Sequence, residues 1–365
     1  MSATGRLRGQ APVESRQWCT MSVKNSLSAS LIVSVMVVAC IAAGCTGHPP
    51  GPDLNASQYY GENGGGFEVH FIDVGQGDSV LLKTAGKVVL IDAGDRDAGY
   101  QVVDYLVRQN VTVIDLLVAT HPHSDHIGGM QDVLRNFQVR EVLDSGIPYN
   151  TTTSEAFLET VEWKKIPVRK AVRGQEIEWA PGVMLRVLSP PENPPADAAN
   201  DNSVVIQTGY GRIGFLFMAD ARLETEKDLL ALHVPLGNQV LKVSHHGSSD
   251  ATGAAFLSRV HPDAAIISLG AGNEFGHPHK ETLDRLATAG AVVFRTDLNG
   301  TVIVRTDGMK YSISTERAKP LAETGSAVTV PDIPSGIREF PTFDASPVGR
   351  ELMNFSEYAI EKVKS

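Results

Sequence analysis

Cysteine is almost absent from this sequence of 365 residues. Its three cysteines are Cys19, Cys40 and Cys45, so residues 46–365 contain none. That absence excludes a disulfide framework, and also a metal site built from thiolates, in the body of the chain. A metal ion bound there would have to be held by histidine and carboxylate side chains.

Positive charge is also scarce. The chain carries 32 Lys and Arg against 42 Asp and Glu, a net charge of −10. Residues 1–45 contain four basic side chains and one acidic side chain, a charge of +3, so the remaining residues carry −13. Tight binding of nucleic acid depends on Lys and Arg that replace counterions at the phosphates. The composition therefore does not favour a nucleic-acid-binding protein, although a local basic groove remains compatible with it.

The main apolar stretch, residues 27–44, falls short of the roughly 20 strongly apolar residues of a membrane-spanning helix. A basic start, a short apolar segment and small residues before a cleavage point are typical of a secretory signal, which we assign to residues 21–45. The ending Ala42-Ala43-Gly44-Cys45 resembles a bacterial lipobox and implies lipidation of Cys45. The alternative is an uncleaved membrane anchor. Both interpretations predict an extracytoplasmic, membrane-tied protein, with residues 1–20 as a possible start-site extension.

Two further segments flank the region that we expect to fold. Residues 46–66 contain Pro, Gly and Asn without apolar periodicity, which indicates a flexible linker. Residues 316–365 form a tail whose end, 349–363, has the periodicity of an amphipathic helix. We expect this helix to pack on the core; a partner-binding helix is the alternative.

Residues 67–315 predict one α/β domain. Apolar residues at helical spacing predict helices at about 100–110, 223–232 and 281–288. Many strands with few helices favour two packed sheets with helices on their outer faces. The predicted strands are Phe67–Val74, Val80–Lys83, Val88–Ile91, Ile114–Ala119, Met184–Leu188, Ser203–Thr208, Ile213–Met218, Val240–Val243, Ala264–Ser268, Val292–Phe294 and Thr301–Val304.

The hexapeptide HPHSDH at 121–126, directly after a buried-looking strand, is the strongest chemical signal. Pro122 disfavours helical backbone at His121 and favours an extended chain. In an extended chain His121, His123 and Asp125 point to one side and can converge, while His126 opens the next turn and can face a second metal. Imidazole and carboxylate ligands without thiolate suit Zn²⁺, Mn²⁺ or Fe.

The same hexapeptide matches the HxHxDH motif of the metallo-β-lactamase superfamily, which the chain resembles over about 67–313. FIDVGQGDSVLL (71–82) and LIDAG (90–94) are similar to the first strands of that family. MAD (218–220) supplies an aspartate after an apolar strand, and LKVSHHGS (241–248) supplies a late histidine. The resemblance implies the αββα sandwich of the family, with two mixed sheets, and two divalent metal ions, Zn²⁺ or alternatively Mn²⁺.

The resemblance also implies a role for each matching residue. His121 and His123 would bind the first metal, Asp125 and His126 the second, and Asp220 would bridge the two. His245 or His246 would complete the second site; we favour His246 as the ligand and His245 as a substrate contact. Most members carry a further histidine in the middle of the chain, where this sequence has NDNSVV (200–205).

Asn202 in that segment is predicted either to bind a phosphate or to cap a turn. The motif GHPH (276–279) carries His277 and His279, either of which could contact a leaving group as a general acid; the alternative is a helix start. We favour His279. Asp73 and Asp92 are expected to orient ligand histidines or close turns rather than to bind metal.

FIDVGQGDS, NDNSVV, KVSHHGS, GHPH and FRTDLNG (294–300) together resemble the extracytoplasmic domain of ComEC-type competence proteins, and the subgroup is similar to phosphorylcholine esterases. We therefore expect a phosphodiesterase acting on DNA or a surface phosphoester. Two cations would lower the pKa of a bound water from about 15.7 towards 7 and make hydroxide available, with Asp125 or a loop histidine handling protons.

Three rival functions remain. The same metal centre could hydrolyse a lactam, lactone or thioester. A non-catalytic binding module of this fold is a further alternative, against which the complete set of Asp and His ligands argues. Di-iron oxygen chemistry is disfavoured, because such relatives carry Glu near the position of Ser124.

Overall fold

The computed structural model describes residues 66–148, 151–195, 198–232 and 234–317, together with the backbone of Val328–Thr329. The strands of these residues are β1 (Phe67–Phe71), β2 (Val80–Thr84), β3 (Lys87–Ile91), β4 (Val113–Ile114), β5 (Leu116–Ala119), β6 (Gln138–Val139), β7 (Val142–Asp144), β8 (Val168–Lys170), β9 (Glu176–Ala180), β10 (Val183–Ser189), β11 (Val205–Tyr210), β12 (Ile213–Phe217), β13 (Val240–Lys242), β14 (Ala264–Ile267), β15 (Val292–Arg295), β16 (Val302–Thr306), β17 (Tyr311–Thr315) and β18 (Val328–Thr329). The helices are α1 (Gly99–Arg108), α2 (Ser124–Ile127), α3 (Met130–Asn136), α4 (Thr152–Lys164), α5 (Leu223–Ala231), α6 (Ala254–Val260), α7 (Lys280–Thr288) and α8 (Thr296–Asn299).

The strands form two large mixed sheets. The first sheet has the order β18-β17-β16-β1-β2-β3-β5-β7-β8, and the second has the order β15-β14-β13-β12-β11-β10-β9. Each is antiparallel on one side and parallel on the other, with β3, β5, β7 and β8 parallel in the first and β12 to β15 parallel in the second. In β1, Val69 lies opposite both Leu82 of β2 and Val304 of β16.

The inner core lies between the two sheets, because alternate residues of a strand point to opposite faces. Phe67, Val69 and Phe71 of β1 point inward, and Phe67 packs edge-on against Phe215 of the second sheet with ring centroids 5.3 Å apart. His70 points the other way, towards helix α1. Strands buried on both faces explain why these segments read as nearly continuous apolar runs.

Helices cover the outer face of each sheet. Val102 and Leu106 of α1 are buried against the first sheet, together with residues of α3 and α4. Phe256 of α6 and Leu286 of α7 are buried against the second sheet, together with α5. The predicted α/β sandwich, in which two sheets lie between two layers of helices (αββα), is therefore confirmed.

Several elements were not predicted from the sequence. Strands β6, β7 and β8 contain only two or three residues each, too few to show a period of two, and β9 and β17, with five residues each, were also missed. Helices α3, α4 and α6 were also missed, although Phe157 and Val161 of α4 are buried four residues apart. All three predicted helices are present, at Gly99–Arg108, Leu223–Ala231 and Lys280–Thr288.

The first sheet continues past residue 315, where the sequence analysis ends the folded domain. Glu316 N–H donates to Thr301 O (2.9 Å) and Arg317 N–H to Asn299 O (2.8 Å), and the backbone of β18 pairs with β17. The signal assigned to 21–45 and the tail helix at 349–363 lie outside the described residues and stay predictions. None of the helices in the described ranges is both long and apolar enough to cross a membrane.

Candidate metal centre

The candidate site lies at the carboxyl ends of parallel strands from both sheets. In the first sheet Asp92 follows β3 and His121 comes two residues after β5; in the second sheet Asp220 and His246 follow β12 and β13. The pairs β3–β5 and β12–β13 are parallel. Neighbouring parallel strands end at the same edge of a sheet, so residues far apart in sequence meet there.

The hexapeptide HPHSDH bends from β5 into helix α2. His123 is extended, with φ −74° and ψ 151°, and caps the helix, whose first turn carries Asp125 and His126. The expectation that Asp125 shares an extended segment with His121 and His123 is therefore wrong. The helix begins at residue 124 and turns the Asp125 carboxylate towards a different group of side chains.

Asp220 stands between two sets of ligand atoms, one on each carboxylate oxygen. Its Oδ1 lies 3.3 Å from His126 Nε2 and 3.4 Å from His246 Nε2. Its Oδ2 lies 3.7 Å from His121 Nε2. We define the first ligand set as His121, His123 and Asp220, and the second ligand set as Asp125, His126, Asp220 and His246.

The inward-facing atoms of the second ligand set fit a divalent cation. Asp220 Oδ1, His126 Nε2 and His246 Nε2 are buried and make no hydrogen bond to any described residue. Buried polar atoms are nearly always paired, so three unpaired atoms that face one another require an explanation. Nitrogen and carboxylate oxygen without thiolate are the donors that Zn²⁺ and Mn²⁺ accept. The predicted metal residues are thus brought together in both sets.

The outer nitrogens of the histidines are held by hydrogen bonds. His126 Nδ1 donates to Asp92 Oδ2 (2.8 Å), and Asp92 also accepts from Thr120 N–H (3.0 Å) and from the Thr120 hydroxyl (2.6 Å). His246 Nδ1 donates to Ser268 O (2.9 Å). Such partners fix the ring and point the Nε2 lone pair at the metal. Asp92 therefore orients a candidate ligand histidine, as the sequence predicts.

A buried ion pair lies behind the second ligand set. Lys242 of β13 is 1% exposed, and its Nζ lies 2.7 Å from Asp78 Oδ2. Asp78 Oδ1 lies 3.5 Å from His246 Nδ1. Sequence reasoning missed both residues. The available signals were a lysine inside an otherwise apolar strand and the aspartate of FIDVGQGDS.

The carboxylates give the site a strongly negative field. Burial alone would raise the pKa of Asp220, but the neighbouring His126 and His246 hold it well below its usual range. Burial alone would lower the pKa of His126, but Asp220 and Asp125 raise it well above its usual value. Burial alone would also raise the pKa of Asp125, but His126 and His246 hold it below its usual range. A low pKa suits Asp125 to metal binding better than to proton uptake, the second role predicted for it.

His245 lies beside the candidate ligand Asp220, whereas the Asn202 side chain bonds within its own loop. His245 Nε2 lies 3.8 Å from Asp220 Oδ2 and 3.4 Å from the Asn200 side-chain amide. Asn202 is buried and its amide donates to Pro195 O (2.7 Å), within its own loop. The turn role predicted as the alternative for Asn202 matches this contact, and it is Asn200, which sequence reasoning missed, that reaches a site histidine.

The two histidines of GHPH, His277 and His279, also lie in different surroundings. The His277 ring lies 5.7 Å from the His245 ring and 6.2 Å from the His246 ring, between centroids. His279 caps helix α7, and its Nδ1 accepts a hydrogen bond from Ser249 N–H (2.9 Å). Burial and the nearby His246 and His245 lower the pKa of His277 to about 4, so its imidazole is neutral at pH 7. His277, not the predicted His279, faces the centre.

The family model described as Metallo-beta-lactamase superfamily matches residues 72–271, which include both ligand sets. ComE operon protein 3 of Bacillus subtilis (strain 168) is 29% identical over 256 residues, which cover 65% of this chain and 33% of that protein. Recombination protein 2 of Haemophilus influenzae is 30% identical over 259 residues, covering 69% of this chain and 30% of that protein. The aligned region thus spans about a third of the length of these relatives.

Solved structures of the same fold are also similar. The metallo-beta-lactamase fold protein YhfI from Bacillus subtilis gives a TM-score of 0.46 at 10% sequence identity, and the match covers 66% of this chain and 100% of that one.

Proposed function

Because the chain belongs to the metallo-beta-lactamase superfamily and is a metal-dependent hydrolase, we propose that its substrate is a phosphodiester and that it acts outside the cytoplasm. The observation that carries the substrate class is the division of Asp220 between two ligand sets. Its two oxygens face different histidines, at 3.3 and 3.4 Å on one side and 3.7 Å on the other. Paired metal sites occur in phosphatases, polymerases and nucleases, which displace a group at phosphorus, and also in aminopeptidases, so the lactam and lactone substrates stay in the test below.

The chain's own residues would hold two cations and position the substrate beside them. Divalent cations in such a centre supply Lewis acidity and lower the pKa of bound water from about 15.7 towards 7. Asp92 and Ser268 O hold the rings of His126 and His246 so that both Nε2 atoms face Asp220. Rings that are held by such hydrogen bonds are already oriented, which favours electrostatic stabilisation of developing charge.

His277 is the group that we assign to the substrate. It stands beside His245 and His246, and its Nδ1 is buried without a hydrogen-bond partner among the described residues. A neutral imidazole has one N–H donor and one acceptor nitrogen. Its donor would bind a phosphoryl or leaving-group oxygen without adding a full charge to a site that already attracts cations.

One relative favours DNA as a candidate substrate, since it is named Recombination protein 2. The charge of −13 on residues 46–365 opposes strong binding along a duplex, because such binding needs a basic surface. A small or surface-bound phosphodiester fits the acidic chain better. We therefore propose the phosphodiester bond as the target and leave DNA as one arm of the test.

The test uses the full chain loaded with Zn²⁺ or Mn²⁺ and compares four substrates: bis(p-nitrophenyl) phosphate, single-stranded DNA, nitrocefin and an aliphatic lactone. We expect hydrolysis of the phosphodiester to exceed that of the lactam and lactone, and to stop on chelation. Asp220→Ala should abolish it, while the exposed Asp228→Asn on helix α5 should not. Lactam or lactone turnover above phosphodiester turnover would reject the proposed substrate class and leave the hydrolase assignment intact.

The proposed location depends on the amino-terminal segment. We propose that residues 21–45 direct export and that Cys45 carries the lipid anchor. Mass spectrometry of the membrane-extracted protein should find an acylated amino-terminal Cys45, and Cys45→Ser should release the chain from membranes. A protein that starts at residue 1 or 21 and stays in the cytoplasm contradicts this location.

A further inference from the structure

The two ligand sets are unequal. The second ligand set offers four residues and the first ligand set offers three, with Asp220 counted in both. A cation in the first set would therefore have one protein ligand fewer than its neighbour. A candidate for the missing ligand is His245, whose side chain is 21% exposed at the rim of the site.

The position of His245 Nε2 suits a shared cation. It lies 3.8 Å from Asp220 Oδ2, almost the same as the 3.7 Å between that oxygen and His121 Nε2. Two ligands with metal bonds of about 2.0–2.2 Å lie roughly 3.3 Å apart in a tetrahedral site and up to about 4.3 Å apart on opposite sides of the metal. Both nitrogens therefore lie at ligand distance from the oxygen that faces the first set. His245 lies outside the cluster of His121, His123 and Asp220, whose ligand atoms are within 4.8 Å of one another, so a shared cation would draw its ring towards the other two histidines.

The other ring nitrogen of His245 has the partner expected of a metal ligand. His245 Nδ1 donates to Asp250 Oδ1 (3.0 Å), just as His126 Nδ1 donates to Asp92 Oδ2 (2.8 Å). With the proton on Nδ1, the Nε2 lone pair points towards Asp220 and accepts from the Asn200 amide at 3.4 Å. A histidine whose outer nitrogen is bound to a carboxylate is oriented for metal binding and has a more basic Nε2.

The backbone directs the two adjacent histidines to different sides of Asp220. His245 (φ 46°, ψ 47°) and His246 (φ 51°, ψ 23°) are both left-handed, a conformation that is costly for residues other than glycine. His245 N–H donates to Ala219 O (2.9 Å), which anchors the turn beside Asp220. In this turn His246 faces Oδ1 and His245 faces Oδ2.

We propose that His245 supplies a ligand, through Nε2, to the cation held by His121, His123 and Asp220, with Asp250 as its positioning residue. The sequence predicts His245 as a substrate contact; the geometry assigns it to the metal instead. The proposal rests on the metal dependence of the hydrolase and not on the phosphodiester substrate, so either can fail alone.

Cation binding to the full chain tests this assignment without an activity assay. Metal-free protein is titrated with Zn²⁺ against a chromophoric chelator, and the bound metal is counted by elemental analysis. The unmodified chain should bind two cations. His245→Ala should keep one cation with unchanged affinity and lose at least about tenfold in affinity for the other, and Asp250→Asn should weaken the same cation by about 10–100-fold. His246→Ala should instead weaken the second ligand set.

The matched control is His261→Asn, which changes an exposed histidine outside both ligand sets at a left-handed position that asparagine tolerates. It should bind two cations like the unmodified chain. Co²⁺ spectra provide a second measurement, because loss of an imidazole ligand changes the absorption of the first site alone. Two cations with unchanged affinity and unchanged Co²⁺ spectra in folded His245→Ala would overturn the proposal. If His245→Ala does not fold, Asp250→Asn decides by the same criteria.

Discussion

At the scale of single residues, the buried Lys242–Asp78 pair shows how a charge is tolerated next to the metal centre. Both side chains are at most 4% exposed and lie 2.7 Å apart, and Lys242 Nζ also donates to Val243 O (3.0 Å). A buried ion pair contributes little net stability, but removing one partner leaves an unpaired buried charge. The pair therefore fixes Asp78, and with it the surroundings of His246.

We predict that Lys242→Met lowers the free energy of unfolding by about 3–5 kcal/mol, because it leaves the Asp78 carboxylate buried and unpaired. Asp78→Asn in the same chain should restore part of the loss. Urea denaturation of the metal-free proteins measures both changes. The control is Lys227→Met, which removes an exposed lysine paired with Glu224 and should leave the stability almost unchanged. Equal losses of stability in Lys242→Met and Lys227→Met would show that Lys242 is not needed to neutralise Asp78.

A second residue-scale prediction separates His277 from His279. A hydrogen bond to a charged oxygen contributes about 1.5–3 kcal/mol, so His277→Ala should lower kcat/KM for a phosphodiester roughly 10- to 150-fold. His279→Asn should stay within about threefold, since asparagine keeps an acceptor for Ser249 N–H and a good helix cap. Steady-state kinetics at saturating Zn²⁺ measure both. A larger loss in His279→Asn than in His277→Ala would restore the assignment made from sequence.

At the scale of elements, a close contact between two loops sets the position of helix α2. Gly77 has φ +129°, and a Cβ built there would lie 2.2 Å from Asp125 O. Asp78 N–H donates to that same carbonyl (3.0 Å). The loop after β1 therefore holds the turn that carries Asp125 and His126, and glycine is required at residue 77.

We expect Gly77→Ala to destabilise the chain by about 1–3 kcal/mol, since the added methyl group must displace the backbone of Asp125. It should also weaken the cation of the second ligand set. Gly86→Ala is the matched variant, because Gly86 also has positive φ (+75°) but no atom within 4 Å of the added Cβ. Thermal unfolding and Zn²⁺ titration should show a larger loss for Gly77→Ala; similar losses would indicate that backbone conformation alone matters.

Helix α1 is joined to β1 by a chain of hydrogen bonds through His70, a residue that no sequence motif singles out. The Tyr105 hydroxyl donates to His70 Nδ1 (2.7 Å), and His70 Nε2 donates to Glu68 Oε2 (3.1 Å). The hydrogen bond from His70 and the positive charge of Arg305 lower the pKa of Glu68 to about 2, although burial alone would raise it. Arg305 Nε lies 2.9 Å from Glu68 Oε1.

This pKa predicts a pH dependence of stability. The folded-state pKa of Glu68 lies below its usual value of 4.5, so the stabilisation is complete above pH 4.5 and is lost as the pH falls towards 2. Glu68→Gln should therefore be less stable than the unmodified chain at pH 7, and the difference should shrink between pH 4.5 and 2. Urea midpoints at several pH values measure it. A difference that is constant with pH would contradict this origin.

At the scale of the whole molecule, the metal centre connects the two sheets. His121 and His126 follow a strand of the first sheet, and Asp220 and His246 follow strands of the second. Cations bound among these residues link elements that are far apart in sequence. Cation binding should therefore stabilise the entire folded domain and not a single loop.

Zn²⁺ at about one hundred times its dissociation constant should add about 2.7 kcal/mol to the free energy of unfolding, and EDTA should remove it. Scanning calorimetry in Zn²⁺ and in EDTA measures the difference. Asp220→Ala, which lacks the carboxylate common to both ligand sets, should show no metal-dependent shift. An unmodified chain with the same midpoint in Zn²⁺ and EDTA would show that folding and metal binding are not linked.

The sequence by itself determined the fold class and the ligand candidates. Apolar runs of strand length and the motifs HPHSDH, MAD and VSHHGS are local features, and local features can be recognised without coordinates. Short strands such as β6 and β7 could not be, because they form only through pairing with neighbours.

Only the tertiary structure decided which neighbouring residue does what. It separates His245 from His246, His277 from His279 and Asn200 from Asn202, and it brings Lys242 to Asp78. Adjacent residues look equivalent in sequence, whereas their side chains point in directions fixed by backbone dihedral angles and by distant hydrogen-bond partners. The left-handed turn at 245–246 is an example: it is held by a hydrogen bond from His245 N–H to Ala219 O, in the segment that follows β12.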